Sequence, residues 1–399
     1  MSGLLPLAEA QARLLEGVAP LAAEPVEMTG AIGRVLAEPL HAFRTQPAAD
    51  LSAMDGYAVR ADDLAGPWHV VGESAAGHPF AGTVAPGQAV RISTGALVPA
   101  GAGAILLQED ATRSGDALAL NGQGDPEARH IRRAGFDFRT GDPLLEPGTL
   151  IGPAQAALAM AGGHGSLLLY RKPAVAILNT GDELAADPTA CAPHQIPASN
   201  GLMIAGLARP FAAGLRVSDP VRDDLDALVA MLASCEDCDV IVTTGGVSVG
   251  DHDLIRPALE AWGAEIDFWR VAMRPGKPLL VARKGRQIVL GLPGNPVSSF
   301  VTAVLFLQPL LRRLSGMRHC LPRSVPARLT APLSAGESRT EFVRAVLDGR
   351  AVTPLTERDS SALRSLAAAN ALIERAIGAP AAPAGSEVRV YPLENGGVA

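Results

Sequence analysis

The sequence predicts a multidomain α/β protein built around a doubly wound, mostly parallel sheet. A β-rich insertion domain, a linker domain and a small β-barrel-like C-terminal domain complete it. Three observations carry that reading. The chain has 399 residues, 48% hydrophobic and 19% charged, which is globular in composition and too long for one core. From Pro173 onward, runs of β-branched and aliphatic residues alternate with helix-like segments, as strands joined by crossover helices do. At 46–140 and again at 319–399, short β-prone pieces are separated by Gly and Pro instead.

Taken in chain order, "LLPLAEAQARLLEG" at 4–17 reads as an amphipathic helix ending at Gly17, and residues 1–20 join the central α/β domain. Residues 21–45 and 141–170 form the linker domain, with "GPAQAALAMAGGHG" as a helix entered through Pro153 and stopped by glycines. Between them lies the β-rich domain, 46–140, with "GYAVRA", "WHVVGES", "QAVRIST" and "AILLQED" as strands. The central domain, 171–318, opens on the strand "AVAIL" and a helix "NGLMIAGLARPFAAG" capped by Asn200. "LRVSD" is a strand, and "DDLDALVAMLASC" a helix with acids in its first turn, where they suit the helix dipole. "DVIVTT" is followed by the helix "DLIRPALEAWG", then by the strands "AEIDFWRVA", "PLLVAR" and "QIVLGLP", and a long helix starts at Pro296. The C-terminal β domain, 319–399, has "EFVRAVL" and "SEVRVYP" as its clearest strands.

A formal charge of −7 and the lack of a dense basic cluster argue against nucleic acid as a partner, since backbone phosphates are bound by Lys and Arg. Four cysteines, Cys191, Cys235, Cys238 and Cys320, are too few for a disulfide framework. "CEDC" at 235–238 has no second pair, so it reads as structural thiols. The N-terminal segment has no basic region and carries Glu9, unlike a signal peptide. "PVSSFVTAVLFLQPLLRRLSG" is interrupted by Gln308 and Pro309 and falls short of a membrane span. The expectation is a soluble, cytoplasmic protein with no membrane partner.

In open α/β sheets, ligands bind beyond the carboxyl ends of the strands. Those ends read "NTGDEL" with Glu183, "SDPVRDD" with Asp223, "TTGGVSVGDHD" with Gly245, Gly246, Ser248, Gly250 and Asp253, and "GLPGNP" with Pro293, Gly294, Asn295 and Pro296. Glycine turns and helix N-termini present N–H groups to an anion. Acids would repel that anion unless a divalent cation lies between them. "WRVAMRPGKP" adds Arg270, Arg274 and Lys277. Together they describe a site for a phosphorylated, anionic ligand with a metal. No Lys-Ser/Thr pair follows the glycines, so this is not the ordinary phosphate loop. The β-rich domain offers a second set, Asp55, Thr94 and Asp137, in its own Gly-rich turns.

The ordered set "LSAMDGYAVRADD", "ISTGALVPAGAGAILLQED", "ILNTGDEL", "VIVTTGGVSVGDHD", "MRPGKPLLVA" and "GLPGNPVSSF" resembles the MoeA family of molybdopterin molybdenumtransferases, related to the C-terminal part of gephyrin. The resemblance implies that the central domain binds molybdopterin. It implies an elongated homodimer that transfers molybdate to adenylylated molybdopterin with release of AMP, assisted by Mg2+ or another divalent metal. It also points to the molybdopterin adenylyltransferase and downstream cofactor-handling proteins as partners.

By resemblance, Gly245, Gly246, Ser248 and Gly250 cradle phosphate and pterin, and Glu183, Asp223 and Asp253 are catalytic, with Glu183 and Asp253 as metal ligands. Arg270, Arg274 and Lys277 neutralise charge, and Pro293, Gly294, Asn295 and Pro296 form the pocket wall. Asp55, Thr94 and Asp137, also catalytic by resemblance, reach the cleft from the other subunit. Arg270 and Arg274 stand where the family often has lysines, and Gly103 where it often has an acid; "RDSSALRS" lacks a glycine usual there. The alternative is a non-catalytic carrier or scaffold of the gephyrin type. A hydrolase on the same domain is disfavoured by "MDGYAV".

Overall fold

The structure, a computed structural model, describes residues 4–245 and 254–396. Its central element is a six-stranded sheet in the order Gly214–Val217, Ala174–Asn179, Val240–Thr244, Gln287–Leu292, Pro278–Lys284, Glu265–Arg270. The first four strands are parallel, and the last two are added antiparallel. Two reversals restore direction, so Glu265–Arg270 ends at the same sheet edge as Gln287–Leu292.

Side-chain alternation along these strands feeds two cores. Val175, Ile177, Val240, Val242, Leu290 and Leu292 face the helices Leu7–Leu15 and Ser199–Ala208 and the long helix from Pro296. Ala176, Leu178, Ile241 and Val289 face Leu225–Ala233 and Ile255–Ala261. Each fully buried aliphatic such as Ile177 or Leu290 contributes roughly 1.5–3 kcal/mol. Cys235 and Cys238 lie in the second core as buried, unpaired thiols.

The helix from Pro296 continues through Gln308 and Pro309 to Leu314, contrary to the interruption expected there. A π segment, Ala303–Leu307, carries it past the proline. Pro309 has no N–H for the Leu305 carbonyl four residues back. The buried Gln11 side chain supplies the missing donor from the N-terminal helix, 2.9 Å from that oxygen. By length and composition this 19-residue helix could cross a membrane, but 83% of its apolar window is buried inside the protein.

The β-rich region is a six-stranded sheet in the order Ala104–Leu107, Gly56–Val59, Gln88–Ile92, Trp68–Ser74, Ala117–Leu120, Ala111–Ser114. Ala23–Glu27, Ser166–Tyr170 and Val35–Leu36 form a small sheet whose core includes Leu36, Ile151 and Leu169. The C-terminal strands Thr340–Asp348, Ala351–Pro354, Val325–Leu329, Glu387–Pro392 and Ala371–Arg375 close on themselves as a five-stranded barrel. Met273–Arg274 joins its edge, parallel to Thr340 and Glu341.

Candidate functional site

Three adjacent parallel strands end in glycine turns at one sheet edge. Gly181 has φ +142° and Gly245 φ +122°, values that disfavour any side chain. A Cβ on Gly245 would lie 2.9 Å from the Thr180 carbonyl oxygen, and one on Gly294 would lie 3.8 Å from the Gly245 Cα. The three turns therefore converge as bare backbone. Of the remaining expected glycine-turn residues, Gly246, Ser248, Gly250 and Asp253 lie outside the described residues.

A polar network fixes this edge from below. Asn179 accepts from the Gly201 N–H at 3.1 Å and the Thr244 hydroxyl at 3.3 Å, and donates to the Ser218 carbonyl at 2.8 Å. Asn200 was expected to cap its helix, but Ala198 occupies the N-cap position. The Asn200 Nδ2 instead donates to the Gly294 carbonyl at 2.7 Å, tying the start of its helix to a strand end, and among the described residues its Oδ1 is buried without a partner.

The acids share this edge and are exposed. Thr180 bridges Val221, and Gly181 N–H donates to the Val221 carbonyl at 3.1 Å, which draws the Glu183 and Asp223 turns together. Asp182, not Glu183, makes the link, accepting the Asp223 N–H at 3.2 Å. The Glu183 carboxylate curls over Gly181, where a Cβ would come within 2.3 Å of it. Asp224 is a helix cap, accepting from Ala227 N–H at 2.9 Å. Among the described residues no three acidic, Cys or His side chains cluster as a metal cage.

Arg270 and Lys277 lie at the same edge, both exposed and without a side-chain partner among the described residues. Their loop is braced by Leu5, whose N–H donates to the Arg270 carbonyl at 2.8 Å, and by Thr340, which donates to the Ala272 carbonyl at 2.9 Å. Arg274 points elsewhere, 3.4 Å from Glu337 and 3.7 Å from Glu341 of the barrel region. Gly276, at φ +95°, packs so closely that a Cβ would lie 2.4 Å from the Thr302 hydroxyl.

The turn of Pro293, Gly294, Asn295 and Pro296 leads into the long helix, but its N-terminal donors are partly spent. Pro296 has no N–H, and that of Val297 is taken by the Ser360 carbonyl at 3.0 Å. The turn thus has fewer free N–H groups to present to an anion than a bare helix N-terminus. Several hydroxyls along it and its neighbours are buried without partners among the described residues: Thr180, Thr243, Ser299, Thr302 and Ser365. Ser360, and the link of Asn200 to Gly294, escape sequence reading, because these residue types are common and their partners distant.

In the β-rich region, Asp55 and Thr94 come together. The Asp55 Oδ1 accepts from the Thr94 N–H at 2.7 Å and from its hydroxyl at 3.1 Å. These bonds, with Arg91 nearby, hold the Asp55 carboxyl below the usual carboxylate range. Asp137 sits on a neighbouring exposed turn, its N–H donating to the Gln46 carbonyl at 3.0 Å. Among the described residues no hydrogen bond or ion pair joins this set to the Glu183 or Asn295 turns of the same chain.

Against known proteins, three family models match in succession. They are the MoeA N-terminal region, domains I and II, over 5–163, a probable molybdopterin-binding domain over 176–313, and the MoeA C-terminal region, domain IV, over 326–393. The chain is 36% identical over 383 residues to molybdopterin molybdenumtransferase 2 of Mycobacterium tuberculosis, covering 92% of this chain and 94% of that one. It is 33% identical over 346 residues to the molybdopterin molybdenumtransferase of Haemophilus influenzae, covering 86% and 85%. The crystal structure of the molybdopterin biosynthesis moeA protein from Pyrococcus horikoshii superposes with a TM-score of 0.83 at 27% identity, covering 98% of this chain and all of that one.

Proposed function

Since the chain belongs to the MoeA family, we propose that it is the molybdenum insertase of molybdenum cofactor biosynthesis, transferring molybdate to adenylylated molybdopterin with release of AMP. Relatives named molybdopterin molybdenumtransferase support a transferase in that biosynthesis. The observation that supports the finer reaction is the convergence of Gly181, Gly245 and Gly294 with the exposed Glu183, Arg270 and Lys277 at one sheet edge.

In this reading the bare backbone at Gly245 and Gly294 lets a phosphate and a flat pterin approach without side-chain clash. Arg270 and Lys277 neutralise charge that develops on the phosphoanhydride as it breaks and hold tetrahedral molybdate near it. Arg274 joins them only after leaving its two barrel acids. Glu183 and Asp253 would hold Mg2+, which when bound offsets phosphate charge; Asp223 orients the scissile group. Gly246, Ser248 and Gly250 continue the cradle. The protein acts as a homodimer, with Asp55, Thr94 and Asp137 of one subunit completing the site of the other. Products pass to downstream cofactor-handling proteins, and the molybdopterin adenylyltransferase supplies the substrate.

The deciding measurement is AMP release from adenylylated molybdopterin with magnesium, with and without molybdate. Molybdate-dependent release is expected, and Glu183→Ala and Asp253→Ala should each lower it by about 100-fold or more with circular dichroism unchanged. Tight binding without release would make the protein a carrier instead.

A further inference from the structure

We propose that Ser360, in the C-terminal barrel region, is a positioning residue for the ligand wall of the α/β domain. This rests on the function proposed above for that edge. Ser360 follows the Ala351–Pro354 strand and precedes the Leu363–Ala367 helix, far in sequence from the wall. It holds the wall twice: its hydroxyl accepts from the Asn295 Nδ2 at 3.1 Å, and its carbonyl accepts from the Val297 N–H at 3.0 Å.

The segment presenting Ser360 is itself fastened. Arg344, only 4% exposed, donates to the carbonyls of Ala362 at 3.1 Å, Glu357 at 2.7 Å and Asp359 at 3.0 Å. The Glu357 carboxylate accepts the Asp359 N–H at 2.7 Å, and Asp359 accepts both the N–H and the hydroxyl of Ser361 at 2.7 Å. A loop so bonded offers Ser360 in one position. From the opposite side, Asn200 donates to the Gly294 carbonyl at 2.7 Å.

The Gly294–Asn295 turn is thus gripped between the α/β domain and the barrel region. It lies close enough to Gly245 that movement there shifts the glycine cradle. Ser360 acts through Asn295 and Val297, so its effect is on geometry.

The test compares Ser360→Ala, which removes the hydroxyl acceptor, with Ser360→Thr, which keeps it, in the full-length protein. Two readouts are taken: native hydrogen exchange of the 293–299 segment, and molybdate-dependent AMP release resolved into kcat and KM. For Ser360→Ala we expect exchange in 293–299 to rise, and KM for adenylylated molybdopterin to rise about five-fold with kcat little changed. Exchange in the barrel strand Ala371–Arg375 should stay at the wild-type rate, and Ser360→Thr should restore both values. Unchanged exchange in 293–299, or faster exchange throughout the barrel, would overturn the positioning role. If the wild-type protein releases no AMP, the functional reading falls, and the exchange comparison still decides the clamp.

Discussion

The Asp55 carboxylate takes both of its described bonds from one residue, so Thr94 governs how its charge responds to pH. A folded-state pKa below the ordinary 3.8 gives stability that is present above that value and lost as pH falls through the lowered one. Thr94→Ala removes the hydroxyl bond but leaves the backbone N–H bond in place. The Asp55 pKa should therefore move up part of the way toward 3.8, as read by carboxyl-carbon NMR titration; no upward shift would show that the hydroxyl plays no part. Asp55, Glu183 and Gly245 stood out in the sequence as candidates because acids and glycines in turns beside strands are conspicuous. Asn200 and Ser360 did not, for a serine or asparagine gains meaning only from a partner that the fold supplies from another element.

Among the elements, the long helix from Pro296 shows what a sequence pattern can and cannot convey. Its apolar run marks it as a helix, and Pro309 looks like its end. The chain continues because a π segment absorbs the proline and Gln11 takes the carbonyl it frees. Gln11 is a polar residue on a buried helix face, 9% exposed, and its acceptor is 294 residues away, beyond any local pattern. Gln11→Ala leaves that carbonyl unsatisfied in the core and should destabilise the protein by about 1–3 kcal/mol, read as a shift in the denaturation midpoint at unchanged slope. A wild-type midpoint would mean that water replaces the amide. The inner strands Ala174–Asn179, Val240–Thr244 and Gln287–Leu292 were plainer, since their aliphatic and β-branched runs are buried on both faces and need no distant partner to be recognised.

At the scale of the whole molecule, the alternation of strands and helices made the central α/β sheet legible, while the relation between the β-rich face and its edge lay beyond the sequence. If the homodimer shares its sites, two inactive proteins should repair each other. Mixing Asp55→Ala with Asp253→Ala subunits under exchange conditions should recover about a quarter of wild-type AMP release, because half the dimers are mixed and each has one intact site. No recovery would place both acids in one subunit's own cleft. The helix Leu7–Leu15 carries a further consequence. Ala10 and Leu14 belong to the main core together with Phe306 and Leu310, which the ribosome makes about 290 residues later. The helix therefore emerges long before the residues that cover it, and waits with its apolar side exposed until they are made. Throughout that interval the nascent chain offers a binding site to chaperones, and docking of the helix closes it only when synthesis of the α/β domain is complete.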